Sequence, residues 1–511
     1  MTEAGRTQIK TAAGCVVARS WEEQSLYRPC KHILDSKLIL KYSCSSFVLG
    51  AALLLWGGVT AARGEETRNP DQVLLDALPE KVVPQLQEIL VKAMRNAPKV
   101  IDSGLNLEMA GTRVKMARAP MLPNASGSFN TGAIYERYQY PISNSSSTHL
   151  IQALTYNAGV SQPLYHWGAL KKGYQSAQLQ RAIAERNITE ACRLLAIDIR
   201  RAYFNLIIAA NARDAEQTTL ANLEKERDFQ KQQQADGFVT ASIVSSAETS
   251  ITNFKLQMRR SENSYQAQWT AFRQLTGIET LQASDPLPKE VPAIPVKLGD
   301  ILKDLSDQFG DYRPVSLSNA DDSVRSEQLN YEIVRTRLRP QLNASLSASQ
   351  DNRSPDNNSL GQKQLVTSFN AFASVNWNIF DGFYTQALKQ SSLISLRQLR
   401  NSRDQTEHDY RENLKSYVAN LRFNWESLQT SEANLAGYRS SVDIFQKDYE
   451  VGLAPKKAWD DAKIVADNGL QAAISARADY YMQIVNYLSL RGKDPVVNPV
   501  TLKQPLNAAK N

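Results

Sequence analysis

The stretch "FASVNWNIFDG", Phe372 to Gly382, begins as a strand and stops abruptly. From Phe369 to Ile379 every odd position is apolar or small: Phe369, Ala371, Ala373, Val375, Trp377, Ile379. The even positions are polar (Ser368, Asn370, Ser374, Asn376, Asn378), with Phe372 the exception. Alternation of period two predicts a strand with one apolar and one polar face. After Gly382 no proline occurs until Pro455, and the sequence reads as one continuous helix over most of that span. A two-faced strand running straight into so long a helix implies surroundings that change at the joint.

Working outward, composition limits what those surroundings are. Hydropathy is negative overall, which argues against a bundle of membrane helices. One stretch, "FVLGAALLLWGGVTAA" from Phe47 to Ala62, is apolar enough to enter a bilayer, but its 16 residues fall short of the roughly 20 that span one. Lys37 and Lys41 precede it and small residues close it, the layout of a secretory signal. Cleavage is expected after Ala61 or Ala62, the alternative being an uncut signal anchor. Residues 1–62 are therefore read as an N-terminal extension and signal peptide. Removing them takes seven of 59 Lys/Arg and four of 52 Asp/Glu, leaving a net charge of +4. A nucleic-acid partner loses most of its support at that charge. Cys15, Cys30 and Cys44 leave as well, so Cys192 remains and no disulfide framework exists.

The chain also repeats itself at an offset of 215: Val160 with Val375, Asn205-Leu206 with Asn420-Leu421, Gly237 with Gly452, Ala247 with Ala462, Tyr265 with Tyr480, Gly277 with Gly492. Upstream the offset drifts slightly, Pro123 pairing with Pro340 and Pro98 with Pro314. The expected organisation is a first repeat over 80–283, a proline-rich connector over 284–296 ("SDPLPKEVPAIPV"), a second repeat over 297–494 and a tail over 495–511. Each repeat holds a long proline-free segment, Gly168–Asp236 or Phe383–Val451, followed by a shorter helical segment, Phe238–Thr276 or Leu453–Arg491, the latter with Pro455 near its start. As helices these would measure roughly 100 Å and 60 Å. Ile188, Cys192, Leu195, Ile199, Ala202, Leu206 and Ala209 follow a coiled-coil spacing, repeated at Tyr410, Leu414, Tyr417, Leu421 and Leu428 and broken by Asn424. A further short helix over Pro314–Arg339 is expected to cover the length that the return helix leaves bare.

Strands come in pairs, at about 123–164 and 340–380, begun by Pro123 and Pro340. Leu154, Tyr156, Ala158 and Val160 alternate with polar or small neighbours, as do Leu342, Ala344, Leu346 and Ala348. Strands apolar on one face and Ser/Asn-rich on the other suit lipid outside and water inside. A soluble sandwich would also alternate, but the signal sequence favours the membrane. Four strands cannot close a barrel and an open edge is not tolerated in lipid, so copies must share one wall; three copies would supply twelve strands. The residues themselves read as an α+β membrane protein, four strands per chain continued by long coiled-coil helices in two tandem repeats; the resemblance that follows implies the full fold class, a trimeric 12-stranded β-barrel continued by a long α-helical coiled-coil periplasmic tunnel.

The duplication, "VNWNIFDG" at the joint and "YEVGLAPKKAWDDA" at the helical turn resemble the TolC family of outer-membrane efflux and type I secretion channels, from about Leu86 to Gly492. The resemblance implies a homotrimer in the outer membrane of a Gram-negative bacterium, extending into the periplasm. It implies outer-membrane lipid, a periplasmic adaptor (membrane fusion) protein and an inner-membrane ABC or proton-driven transporter as partners. It also implies a periplasmic constriction, carried here by Asp461 with Asp460 beside it. Ala458 occupies the family's other ring position; Tyr449 matches its closing network, but Ala454 stands where a basic partner and Ile243 where an aspartate is expected, so a gate latched by those polar links is not expected here. Adaptor contact is implied at the turns of Gly237 and Gly452. From the residues themselves, Pro123, Pro340, Asp381 and Gly382 are strand–helix joints, and Tyr138, Tyr140, Trp377 and Phe380 are membrane-interface aromatics. His149, His166 and His408 lack metal spacing; no cofactor, metal or catalytic residue is expected, so the chain is not read as an enzyme. The function expected is an exit duct for a tripartite pump or type I system. The alternative is a trimeric coiled-coil, adhesin-like surface protein without a conduit.

Overall fold

A computed structural model describes residues 70–140, 142, 145–282, 286–294, 312–355 and 364–497. The expected extension and signal, 1–62, and all but the first three tail residues lie outside them. Four helices open the chain, α1 (Pro70–Asp76), α2 (Pro79–Val82), α3 (Pro84–Asn96) and α4 (Pro98–Arg118). Each begins on a proline, whose fixed φ suits the first helical position and whose missing N–H would go unpaired there anyway.

Two strands follow, β1 (Asn124–Tyr140) and β2 (Ser145–Tyr165), then the long helix α5 (Ala169–Ala235) and its return α6 (Ala241–Thr276). The second half runs α7 (Val315–Thr336), β3 (Gln341–Pro355), β4 (Gln364–Asn376), α8 (Tyr384–Glu450) and α9 (Lys456–Leu490). Both long helices have 67 residues, about 100 Å of rise. Near the strands α7 lies between α5 and α8, and farther along α6 covers α5 and α9 covers α8. On α5 the short helices α4, α6 and α7 all pack, and on α8 the helices α7 and α9 do.

The strands form one antiparallel sheet in the order β1-β2-β3-β4. Its register puts Phe129, Tyr156, Ala158, Val160, Leu346, Phe369 and Val375 on one face and Ser128, Asn157, Ser161, Ser345, Ser347, Ser368 and Asn370 on the other. Among the described residues β1 pairs only with β2 and β4 only with β3, so both outer edges are bare. β4 ends at Asn376, three residues before the expected Ile379. The reason lies in its partner: Gln341 opposite Asn376 is the first residue of β3, and Pro340 before it has no N–H to extend the ladder.

The core sits at the waist of the helical part, where α1–α3 and the ends of α6 and α9 meet the middle of α5 and α8. Cys192, Leu195, Ile199 and Leu206 of the expected seam are buried, with Ile188, Ala202 and Ala209 partly so. In α8, Tyr410, Leu414, Leu421 and Leu428 are buried, but Val418 takes the place expected for Tyr417. At the Asn424 break the seam uses Trp425 instead, its ring 5.4 Å from that of Tyr480.

Candidate functional site

The sheet and the long helices meet at two joints that use one backbone device. Trp167 (φ 55°) and Gly168 (φ 77°) precede α5; Gly382 (φ 64°) and Phe383 (φ 65°) precede α8. Two successive left-handed residues turn the chain from strand to helix. Glycine takes one of the two at little cost and an aromatic residue bears strain at the other. Side chains then fix the turn. The Trp167 indole N–H donates to the Pro340 carbonyl at 2.6 Å, and the Trp377 indole N–H to the Leu338 carbonyl at 3.1 Å. Asp381 Oδ2 accepts from the Thr385 backbone N–H at 3.0 Å and from its hydroxyl at 2.5 Å, capping the first turn of α8. That hydroxyl bond leads in holding the Asp381 carboxyl below the ordinary range, and burial opposes it.

Around the joints runs an apolar belt. Trp377, Ile379, Phe380, Phe383 and Tyr384 are all exposed, and the rings of Phe380 and Phe383 meet edge to face at 5.3 Å. Arg337 stacks over Tyr384 at 4.7 Å and Arg339 over Trp167 at 4.9 Å. Of the expected interface aromatics, Trp377 and Phe380 belong to this belt. Tyr138 and Tyr140 lie on β1 toward the opposite end of the sheet, with side chains outside the described residues. Pro123 and Pro340 stand immediately before β1 and β3, on the belt side. Trp167, Phe383, Tyr384 and the two arginines are absent from the sequence-based expectation. The 215 offset from Gly382-Phe383 to Trp167-Gly168 was a signal that could have found the first of them.

At the far end each long helix closes with a Schellman motif. The Phe238 N–H donates to the Gln233 carbonyl at 2.8 Å and the Leu453 N–H to the Asp448 carbonyl at 2.7 Å. Gly237 (φ 80°) and Gly452 (φ 77°) supply the left-handed residue. The apolar residues that follow, Phe238 and Leu453, stay 80% and 81% exposed. Such residues commonly pack back on the helix, so both tips present unused apolar surface. Beside the second tip, Tyr449 stacks on Trp459 at 5.7 Å, and Lys463 Nζ lies 3.3 Å over the Trp459 ring. The two expected carboxylates differ in setting. Asp460 pairs with Lys463 at 3.3 Å, whereas Asp461 is exposed with no ion pair among the described residues. Lys457 reaches Glu226 of α5 at 3.3 Å, tying the two repeats together near the tips.

The waist holds these two ends in fixed relation. Arg200, fully buried on α5, binds Glu80 of α2 through Nη2 and Nε at 2.5 and 3.1 Å, and Asp494 through Nη1 and Nη2 at 2.5 and 3.0 Å. Burial works against its charge, and the two carboxylates more than offset that, raising its pKa. Arg477 of α9 likewise joins Glu432 of α8 to Glu290 and the Val291 carbonyl of the connector.

No helix among the described residues is long and apolar enough to cross a membrane. The remaining wall is the sheet, with an apolar face, a polar face and helices leaving one end. The sequence profile described as "Outer membrane efflux protein" matches residues 89–278 and 313–490, one match per repeat. No curated protein sequence matches the chain. Solved structures share its fold. The CmeC outer membrane channel of Campylobacter jejuni aligns with a TM-score of 0.64 at 15% identity, over 80% of this chain and 85% of that one. For VceC of Vibrio cholerae the values are 0.58, 16%, 80% and 96%. For the open MtrE channel of Neisseria gonorrhoeae they are 0.57, 16%, 80% and 89%. With both repeats matched and the joint, waist and tips in place, the chain belongs to the outer membrane efflux protein family and is a channel protein of the outer membrane.

Proposed function

We propose that three copies close their sheets into one 12-stranded barrel. Their helices then continue it as a periplasmic tunnel, the exit duct for cargo handed over by an inner-membrane transporter and a periplasmic adaptor. The observation that carries this reading is the pair of bare sheet edges. A four-stranded sheet with one lipid-suited face has unpaired backbone N–H and C=O groups along β1 and β4. In lipid each such group costs several kcal/mol unless a neighbouring copy pairs with it. Closure of copies into a ring removes both edges and turns the Ser/Asn face onto water.

In this arrangement Phe238 and Leu453, beside Gly237 and Gly452, form the apolar adaptor-facing tips. Asp461 narrows the periplasmic mouth with threefold negative charge, while Asp460 is neutralised by Lys463. The Tyr449–Trp459 stack stiffens the hairpin that carries Asp461. The test is photocrosslinking in cells from a residue replacing Leu453, with mass spectrometry of what is captured. A periplasmic adaptor recovered with a proton-driven pump assigns the duct to efflux, and one recovered with an ABC transporter assigns it to type I secretion. If Leu453 captures no adaptor while a control position on the waist is equally silent, the handover role is refuted.

A further inference from the structure

Among the described residues in the half of the sheet nearer the helices, one side chain departs from its two-faced pattern. Phe372 lies on the polar face of β4, between Asn370 and Ser374 and opposite Ser345 of β3. It is 61% exposed there. The register carries its row across the sheet through Ser345 and Ser161 to Asn124. Ile134 and Val366 also belong to this face, but toward the loop end of the strands. In the half nearer the helices the face reads Ser126, Ser128, Asn157, Ser161, Asn343, Ser345, Ser347, Asn370 and Ser374, all small or polar. A large aromatic so exposed on such a surface belongs to no buried core. An apolar side chain held in water is a contact awaiting a partner.

We infer that Phe372 from three copies forms an aromatic collar inside the barrel, a contact site for cargo with planar aromatic or apolar parts. The inference rests on the trimeric reading above. Threefold symmetry puts the three rings at one height, four residues from the end of β4 at Asn376, or about 13 Å above the helical tunnel. A 12-stranded barrel with ordinary strand spacing and tilt is about 24 Å across between opposite backbones. Three aromatic side chains projecting into that width meet a drug-sized solute that the Ser and Asn rows alone would leave to water. Ring faces also attract organic cations. Cargo of amphipathic aromatic character would thus be held briefly at the barrel entrance, while small hydrated ions pass.

The experiment is single-channel recording from the purified full chain in planar bilayers. Ethidium, a planar aromatic cation, is added on the loop side, and spermidine, an aliphatic polycation, is the control. Wild type is expected to show ethidium-induced interruptions of the current. Phe372→Ser should shorten their mean duration about fivefold, the worth of one aromatic contact, and Phe372→Tyr should preserve it. Interruptions by spermidine, and the behaviour of Phe369→Ser on the opposite face, should not change. Equal ethidium dwell times in wild type and Phe372→Ser would overturn the collar and leave the conduit intact, as would an effect found at Phe369 instead. Absence of any current from heat-resistant wild-type oligomers would overturn the conduit reading itself, and the collar with it.

Discussion

Gly277 and Gly492 end the two return helices at equivalent places in the repeats, with φ of 66° at each. A Cβ on Gly277 would lie 2.3 Å from the Asn96 carbonyl oxygen, and one on Gly492 would lie 2.0 Å from the Tyr312 ring. Gly237 shares the left-handed backbone but faces open space. Gly277→Ala is therefore expected to cost about 3 kcal/mol or more, strain and backbone clash together. Gly237→Ala should cost about 1 kcal/mol from strain alone. Urea titrations of the two variants rank them, and equal losses would refute the role of the Asn96 approach. The waist tyrosines make a second prediction. Burial pushes the phenols of Tyr203 and Tyr481 up to about 12, and that of Tyr480 higher still. An unfolded chain releases these protons near pH 10, whereas the folded waist keeps them until about pH 12. Unfolding then releases protons, so stability falls as pH rises through that window. Among the described residues the hydroxyls of Tyr480 and Tyr481 have no hydrogen-bond partner. The double variant Tyr480→Phe/Tyr481→Phe should match wild type at neutral pH. Its alkaline slope should be shallower by about 1.4 kcal/mol per pH unit for each phenol removed.

Between α8 and α9 the packing depends on a small residue against a large one. A Cβ on Gly469 would meet Tyr438 Cδ2 at 2.4 Å. In the first repeat the same offset of 215 places Phe254 where Gly469 stands and Leu223 where Tyr438 stands. The repeats have thus exchanged bulk across one helix pair. Gly469→Ala is expected to lose about 1–3 kcal/mol, and adding Tyr438→Leu should return most of it. In a double-mutant cycle, additive losses would show that the two positions do not meet. The same elements show what a sequence can carry. α5, α8 and β4 were legible because period-two alternation and long proline-free runs are local marks. The phase slip from Tyr417 to Val418 was not legible, since either residue satisfies an apolar seam and only the partner surface decides. Nor were the joining residues of the waist: Glu80, Arg200 and Asp494 lie far apart in sequence, and ion pairing leaves no periodic trace. At the joint, Asp381 and Gly382 were visible as turn residues, but the arginines stacked on Trp167 and Tyr384 depend on α7 arriving beside them. At the tips the resemblance singled out Asp461 over its neighbour Asp460, but the pairing of Asp460 with Lys463 left no mark in the sequence.

Residues 70–497 place a four-stranded sheet at one end of a set of long helices, and four strands do not close a barrel within one chain. The sheet's bare edges lie at β1 and β4, the first and last strands, so every copy both offers and needs an edge. On the trimeric reading proposed above, assembly should be as strict a requirement as folding. A proline replacing Ser128 on β1 would remove a backbone donor from one strand. Native gel analysis should then show loss of the proposed trimer while the helical circular dichroism of the chain persists. Survival of the trimer would show that the edges are not what joins the copies. The bare edges also bear on how the protein reaches its place. On the trimeric reading, a lone chain enters the bilayer only at the cost of its unpaired edges, so insertion would wait until copies have met. Their insertion would then follow a steep dependence on how many are present, and an edge-capping escort would speed it by guarding the strands during the wait.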